Sequence, residues 1–195
     1  MGFIPNFYVS YLPDPAPLDS RQKMELGWRT LVDPVSFGIT GAIAGIQKGS
    51  NSFPGYGHGA LGYSKYYAAA YGNLLTSTLI GNMILPIALK QDPRFFYKAD
   101  GSVHDRIWYS IKTAFICKGD NGHWQFNYSG IGGSVASGFI SNAYYPTASR
   151  SKGSVIIENT ALGTVGTVAS NLFQEFLIPR LTPHKPPFIS RKLSD

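Results

Sequence analysis

The chain has 195 residues and a formal charge of +6, yet only 14% of it is charged, beside 22 Gly and 14% aromatic residues. That length suits one well-cored domain, and no charge run or low-complexity linker divides it. Soluble domains average about 25% charged residues, so this surface is short of charge, and part of it is expected to face lipid or another protein; the basic residues are scattered singly, which argues against nucleic acid as a partner.

Residues 1–18 hold four prolines and read as an extended arm. No basic stretch leads there into an apolar run, so if the protein is exported its signal is expected outside this numbering. Asp19 or Ser20 can cap a helix "SRQKMELGWRTLV", and Asp33 before Pro34 starts a second, "PVSFGITGAIAGIQKG", because Asp caps and Pro at the first helical position loses no needed donor. The glycine-rich "GSNSFPGYGHGALGY" lacks the Gly-Lys-Ser/Thr ending of a phosphate loop. It reads as a tight turn with Tyr56 and Tyr63 packing back.

Residues 66–89, "YYAAAYGNLLTSTLIGNMILPIAL", carry no formal charge. Their apolar residues do not alternate, so they read as a helix, kinked or ended by Pro86. Ala69, Asn73, Ser77 and Gly81 form one stripe, and Tyr71, Leu75, Leu79 and Met83 another. A charged, aromatic connection "KQDPRFFYKADGS" follows. Ser102 with Asp105 resembles a capping box for a helix "VHDRIWYSIKTAFICK", and "GDNGHWQFN" reads as a polar turn. The next helical stretch, "SGIGGSVASGFISNAYYP", sets Ser134, Ser137 and Ser141 against Ile131, Val135 and Phe139. The last, from about Ser154 to Ile178, sets Thr160, Thr164, Thr167, Asn171 and Gln174 against Leu162, Val165, Ala169, Leu172 and Phe176. Residues 180–195 form a basic, proline-containing tail.

Three segments thus repeat one design, small or hydrogen-bonding residues on one side and large apolar ones on the other. Lys and Glu, the usual residues of a solvated face, are nearly absent from the polar sides. Small faces let helices approach closely, with Ser, Thr and Asn bonding across the interface while large residues face lipid. Ala69, Asn73, Ser77 and Gly81 are the expected packing stripe. Aromatics cluster at segment ends, as in an interfacial belt. The fold expected is a single all-α domain over residues 19–179 with five or six helices.

The segments "IPNF", "GYGHGALGYSKYY", "QDPRFFY", "FNYSGIGG" and "SNAYYPTASR" resemble those of a group of exported proteins from soil bacteria with no assigned activity. The similarity spans residues 4–178 and implies export, not a mechanism. Members carry an acidic residue before the Asp-Pro-Arg, where this chain has Gln91.

Candidate chemistry is sparse. Asp92 and Arg94, with Pro93 between them, read as a clamp joining the third and fourth helices, or as a site for a ligand carboxylate or lipid phosphate. His104 with Asp92 offers an acid–base pair, with His58 and His123 as further candidates. No nucleophile motif or His-Glu-x-x-His spacing is present, and the single Cys117 excludes an intrachain disulfide and a cysteine-based zinc site. No catalytic residue, metal or cofactor is therefore assigned. Glu158 and Glu175 read as a helix-start charge and a surface or Arg-paired site. The expected function is that of a membrane-associated structural or interaction protein of the cell envelope, periplasmic or outer-membrane associated. Its expected partners are membrane lipid, another membrane-associated protein or further copies of itself. Two alternatives are an exported soluble bundle holding an apolar ligand and a hydrolase using His104 and Asp92.

Overall fold

The computed structural model describes residues 9–11, 15–146 and 153–181. Most of the expected arm, and residues 182–195 of the tail, lie outside the described residues. Among the described residues the chain is an all-α single domain with six long helices and only short strands.

Local signals account for most helix starts. Helix α1 (Ser20–Leu31) begins on a reciprocal box in which the Asp19 carboxylate accepts the Gln22 N–H and Gln22 accepts the Asp19 N–H. Helix α2 (Pro34–Gly49) has Asp33 as its cap and Pro34 at its first position. A short 3₁₀ turn, Pro54–Tyr56, leads into α3 (Gly59–Thr78). Gly57 and Gly59 have φ of 79° and 71°, a conformation that costs glycine little. They turn the chain into the helix ahead of Tyr66, so Tyr63 belongs to α3 rather than to the loop.

Pro86 acts before it ends anything. Its missing N–H and its ring disturb the helical ladder toward residue 82, and the helix widens into a π turn at Leu79–Ile84 before α4 (Leu85–Ala88). The helix stops at Lys90, whose φ is 53°, where the Gln91 N–H donates to the Pro86 carbonyl at 2.9 Å.

Two short sheets were not expected from the sequence. Strand β1 (Val9–Ser10) pairs in parallel with β2 (Phe95–Phe96), which ties the N-terminal segment to the charged connection. Helix α5 (Val103–Phe115) begins on the Ser102–Asp105 box but ends three residues short of the expected Lys118. Its last expected turn is instead β3 (Ile116–Lys118), antiparallel to β4 (Trp124–Phe126), with Gly122 at φ 80° in the connecting turn. A β-branched residue beside aromatic partners favours the pleated pairing. Asn127 then caps α6 (Tyr128–Ser141), and α7 (Gly153–Phe176) and α8 (Ile178–Leu181) follow.

The helices pack through their small faces. Where α3 runs into the π turn it crosses α6 at Gly81 and Gly133. A Cβ built on Gly81 would lie 2.9 Å from the Ser129 carbonyl oxygen, and one on Gly133 would lie 2.6 Å from the Gly81 nitrogen and 2.8 Å from the Ser77 carbonyl oxygen. The Ser137 hydroxyl donates to the Asn73 carbonyl at 3.0 Å and meets the Thr76 hydroxyl at 2.6 Å. Ser129, Gly133, Ser137 and Ser141 are the buried line of α6, while Ser134 is turned toward Gly163 of α7.

Large apolar side chains of the same helices point out: Phe37 and Ile46 on α2, Leu61 on α3, Phe139 on α6, Ile157 and Val165 on α7. Two compact aromatic clusters complete the interior, Phe53, Tyr66, Ala69, Ala70 and Tyr145 with Ala44, and Val9, Phe95, Tyr97 and Ile178. Among the described residues no helix is long and apolar enough to cross a membrane.

The Gly81–Gly133 crossing predicts a contrast between two glycine substitutions. Gly133→Ala forces a methyl against backbone that cannot rotate away, and is expected to lower unfolding stability by about 1–3 kcal/mol. Gly45→Ala, on a helical position with open space around it, is expected to raise stability by about 0.5–1 kcal/mol. Urea denaturation of the two variants reads both signs.

Candidate functional site

Asp92 and Arg94 meet in a tight local pair. The Arg94 guanidinium donates from Nε to Asp92 Oδ1 at 3.0 Å and from Nη2 to Oδ2 at 2.6 Å, and the Arg94 backbone N–H also donates to Oδ1. Both side chains are largely buried, and a second Nη2 contact reaches the Ala16 carbonyl at 2.9 Å. The Asp92 N–H donates to the Lys118 carbonyl. The pair therefore joins the connection after α4 to the N-terminal segment and to the β3–β4 hairpin, and its guanidinium reaches neither flanking helix.

His104 stands apart. It is exposed on the first turn of α5 and accepts a hydrogen bond from the Trp108 indole N–H at 2.9 Å. Among the described residues it shares no hydrogen bond with Asp92, whose carboxylate is occupied by Arg94. His58 caps α3 without a side-chain bond, and His123 is exposed in the hairpin turn. Among the described residues no group of three His, Cys, Asp or Glu is arranged to hold a metal ion.

The stripe on α3 lies at the centre of a polar network. Asn73 donates to the Tyr145 hydroxyl at 2.7 Å and to Asn159 Oδ1 at 3.2 Å, and accepts from the Tyr144 hydroxyl. Asn159 in turn donates to the Ser141 hydroxyl, joining α3, α6 and α7. Ala69 and Gly81 are buried, and Ser77 is half-buried with its hydroxyl on the Leu74 carbonyl. Burial pushes the Tyr144 hydroxyl up to about 12, with the neighbouring Tyr145 adding to the rise.

Other buried polar groups gave no sequence signal. Lys23 of α1 is buried and bonds both Asp120 carboxylate oxygens, at 2.8 and 2.7 Å, and the Pro86 carbonyl at 3.1 Å. Gln91 is buried with both ends of its amide used, donating to the Phe126 carbonyl and accepting the Ser129 N–H. A carboxylate at that position could not make the first of these bonds. Glu175 is fully buried and pairs with Arg106 at 2.7 Å, while burial pushes its carboxyl above the usual range against the pull of that guanidinium.

A cavity of about 270 Å³ runs between α2, α3, α6 and α7 and on to the Asp92–Phe96 connection, the end of α5 and the β3–β4 hairpin. Outside, Trp124 and the Phe126–Tyr128 pair are exposed along the hairpin and the start of α6, Trp108 is exposed on α5 against His104, and the Lys118 ammonium lies 4.9 Å from the Phe96 ring centre and 5.8 Å from that of Trp124. A cation set among amphipathic rings is the composition of a membrane–water interface. Comparison of the chain with protein-family models, curated proteins and solved structures gave no match.

Two outcomes follow from the buried loop chemistry. Arg94→Ala leaves the Asp92 carboxylate buried without its partner and is expected to cost about 3–5 kcal/mol, read by denaturant unfolding. Cys117 is buried, and burial, with the Asp92 carboxylate adding to it, pushes its thiol up to about 12. Iodoacetamide at pH 8 is therefore expected to leave the folded protein unmodified and to alkylate Cys117 once guanidinium unfolds it.

Proposed function

We propose that this is a membrane-associated interaction protein of the cell envelope whose helical domain rests against lipid through its outward apolar side chains. One observation carries the reading. The helices that bury Thr40, Gln47, Ser137, Asn159 and Asn171 expose Phe37, Ile46, Phe139, Ile157 and Val165. Single exposed apolar residues are ordinary on soluble proteins, but exchange of the two faces on several helices of one domain is not the amphipathicity that water selects.

Lipid accommodates that exchange, because small polar faces hold helices together while large side chains meet acyl chains. The absence of a helix suited to crossing a bilayer, among the described residues, fits a domain that lies on or part-way into the interface. Scarce charge and the Trp–Tyr–Lys group by the hairpin support the same orientation, with the aromatic edge at headgroup level. The resemblance to exported bacterial proteins supports the envelope location and names no reaction.

The test is fractionation followed by vesicle binding. The protein is expected to stay with membranes through a high-salt wash and to leave only with detergent. Purified protein is expected to bind phospholipid vesicles, and Trp108→Ala with Trp124→Ala to weaken that binding at least about tenfold with unchanged circular dichroism, since both side chains are exposed. A monomer that stays dispersed without detergent and ignores vesicles would overturn the reading. Retention on native membranes but not on pure lipid would replace lipid with a membrane-bound partner protein.

A further inference from the structure

Gln47 is the least explained side chain in the interior. It sits on the last turn of α2, is 1% exposed, and lies near the Tyr145 hydroxyl. Neither its Nε2 nor its Oε1 has a hydrogen-bond partner within 3.5 Å among the described residues; the Tyr145 hydroxyl, which it approaches, is already bonded to Asn73 and Asn159, and Gln47 lines the cavity. Every other amide in its neighbourhood is engaged: Asn73 and Asn159 bond each other and Tyr145, and Tyr144 closes the set. An unbonded amide in such a place costs about 1–3 kcal/mol, and natural interiors avoid that unless something fills the gap.

The space around it is shaped by Ile43 of α2, Ala70 and Leu74 of α3, and Leu162 of α7. Helix α2 packs chiefly on α3 and touches α7 only lightly, which holds the walls apart. At about 270 Å³ the cavity is near the lower end of ligand sites, ~300–1,000 Å³. Its far end, at Gln174, lies about 22 Å along α7 from Asn159, and at the near end the Glu158 carboxylate acts on the Tyr145 hydroxyl beside Gln47.

We propose that this end of the cavity is a binding site for a small uncharged molecule that joins an amide edge to an apolar body. A free carboxamide presents one acceptor beside two donors, and the group that answers both at once is another amide, open or cyclic. The same donor–acceptor pairing lets Asn and Gln grip an adenine edge. Aliphatic walls take the remainder of the ligand, and the Glu158 carboxylate that acts on Tyr145 disfavours an anion. The site is independent of the outer surface and stands whether or not that surface meets lipid.

The experiment uses benzamide as probe, with benzoate and toluene as matched controls, and follows thermal unfolding of the full chain. Benzamide is expected to raise the melting temperature in a saturable way, while benzoate and toluene shift it little. Gln47→Met keeps the volume and removes both unbonded atoms. It is expected to raise the ligand-free melting temperature by about 2–4 °C and to abolish the benzamide shift. Gln47→Glu, which keeps the shape and loses the donors, is expected to weaken benzamide at least about tenfold in calorimetric titration. A Gln47→Met protein less stable than wild type would make Gln47 a structural residue satisfied by water and would overturn the site. So would a benzamide shift that toluene reproduces or that survives Gln47→Met, or the lack of any shift with wild type.

Discussion

The close crossing of α3 and α6 at Gly81 and Gly133 is the constraint on which the rest of the arrangement depends. Backbone meets backbone there, and the Ser129 and Ser77 carbonyls stand where side chains would otherwise be. Such proximity admits only small residues along both helices, which is why Ser137 can bond the Asn73 carbonyl and Thr76 across the gap. Packing energy comes from many backbone and small side-chain contacts and from hydrogen bonds closed within the interface, with aromatic clusters only at the ends. Leu61 of α3 and Phe139 and Ile140 of α6 are left on the outside, while Leu74 and Ile131 stay half-buried at the cavity. The unusual surface follows from the interior.

A polar interior must be satisfied to be stable, and this one is closed by chains of bonds between distant segments. Asn73, Tyr144, Tyr145, Asn159 and Ser141 link three helices, and Asn171 donates to the Ser110 carbonyl of α5. Buried ionic contacts fix the periphery: Lys23 ties α1 to the α4 end and to Asp120, Arg106 ties α5 to Glu175 of α7, and Arg94 holds its own loop. Such pairs need not add net stability over apolar replacements, but each is costly to break from one side. They make the position of every connecting segment depend on a specific partner.

What could be read from the sequence was what local chemistry decides. The caps at Asp19, Asp33 and Ser102 depend on residues within three positions, and each starts a helix where the spacing predicts. The all-α class followed from period and small-residue content. Partners far apart in the chain could not be read: Lys23 and Asp120 are 97 residues apart, and neither Gly81 nor Gly133 names the other. The Ser134, Ser137 and Ser141 stripe divides between two neighbours because α6 is wedged between α3 and α7. Strands of two or three residues carry too little pattern to be seen, and β3 was absorbed into the helix before it. The π turn was hidden for a different reason, since Pro86 announces a disturbance without saying on which side it is relieved. Among the candidate residues Asp92 and Arg94 come together as neighbours in sequence suggest, whereas His104 is engaged with Trp108.

All three tryptophans report on the central claim that large side chains face out from a small, polar interior: Trp28, Trp108 and Trp124 are 61%, 58% and 44% exposed. The most direct measurement is the quenching of their fluorescence by acrylamide in solution and by phospholipids brominated along the acyl chain in vesicles. The account predicts strong acrylamide quenching for the protein alone, and in the presence of vesicles a loss of that accessibility together with quenching by bromine. Emission that is shielded from acrylamide in the lipid-free monomer, and that bromolipid leaves unchanged, would mean that the tryptophans are core residues and that the account has the molecule the wrong way round.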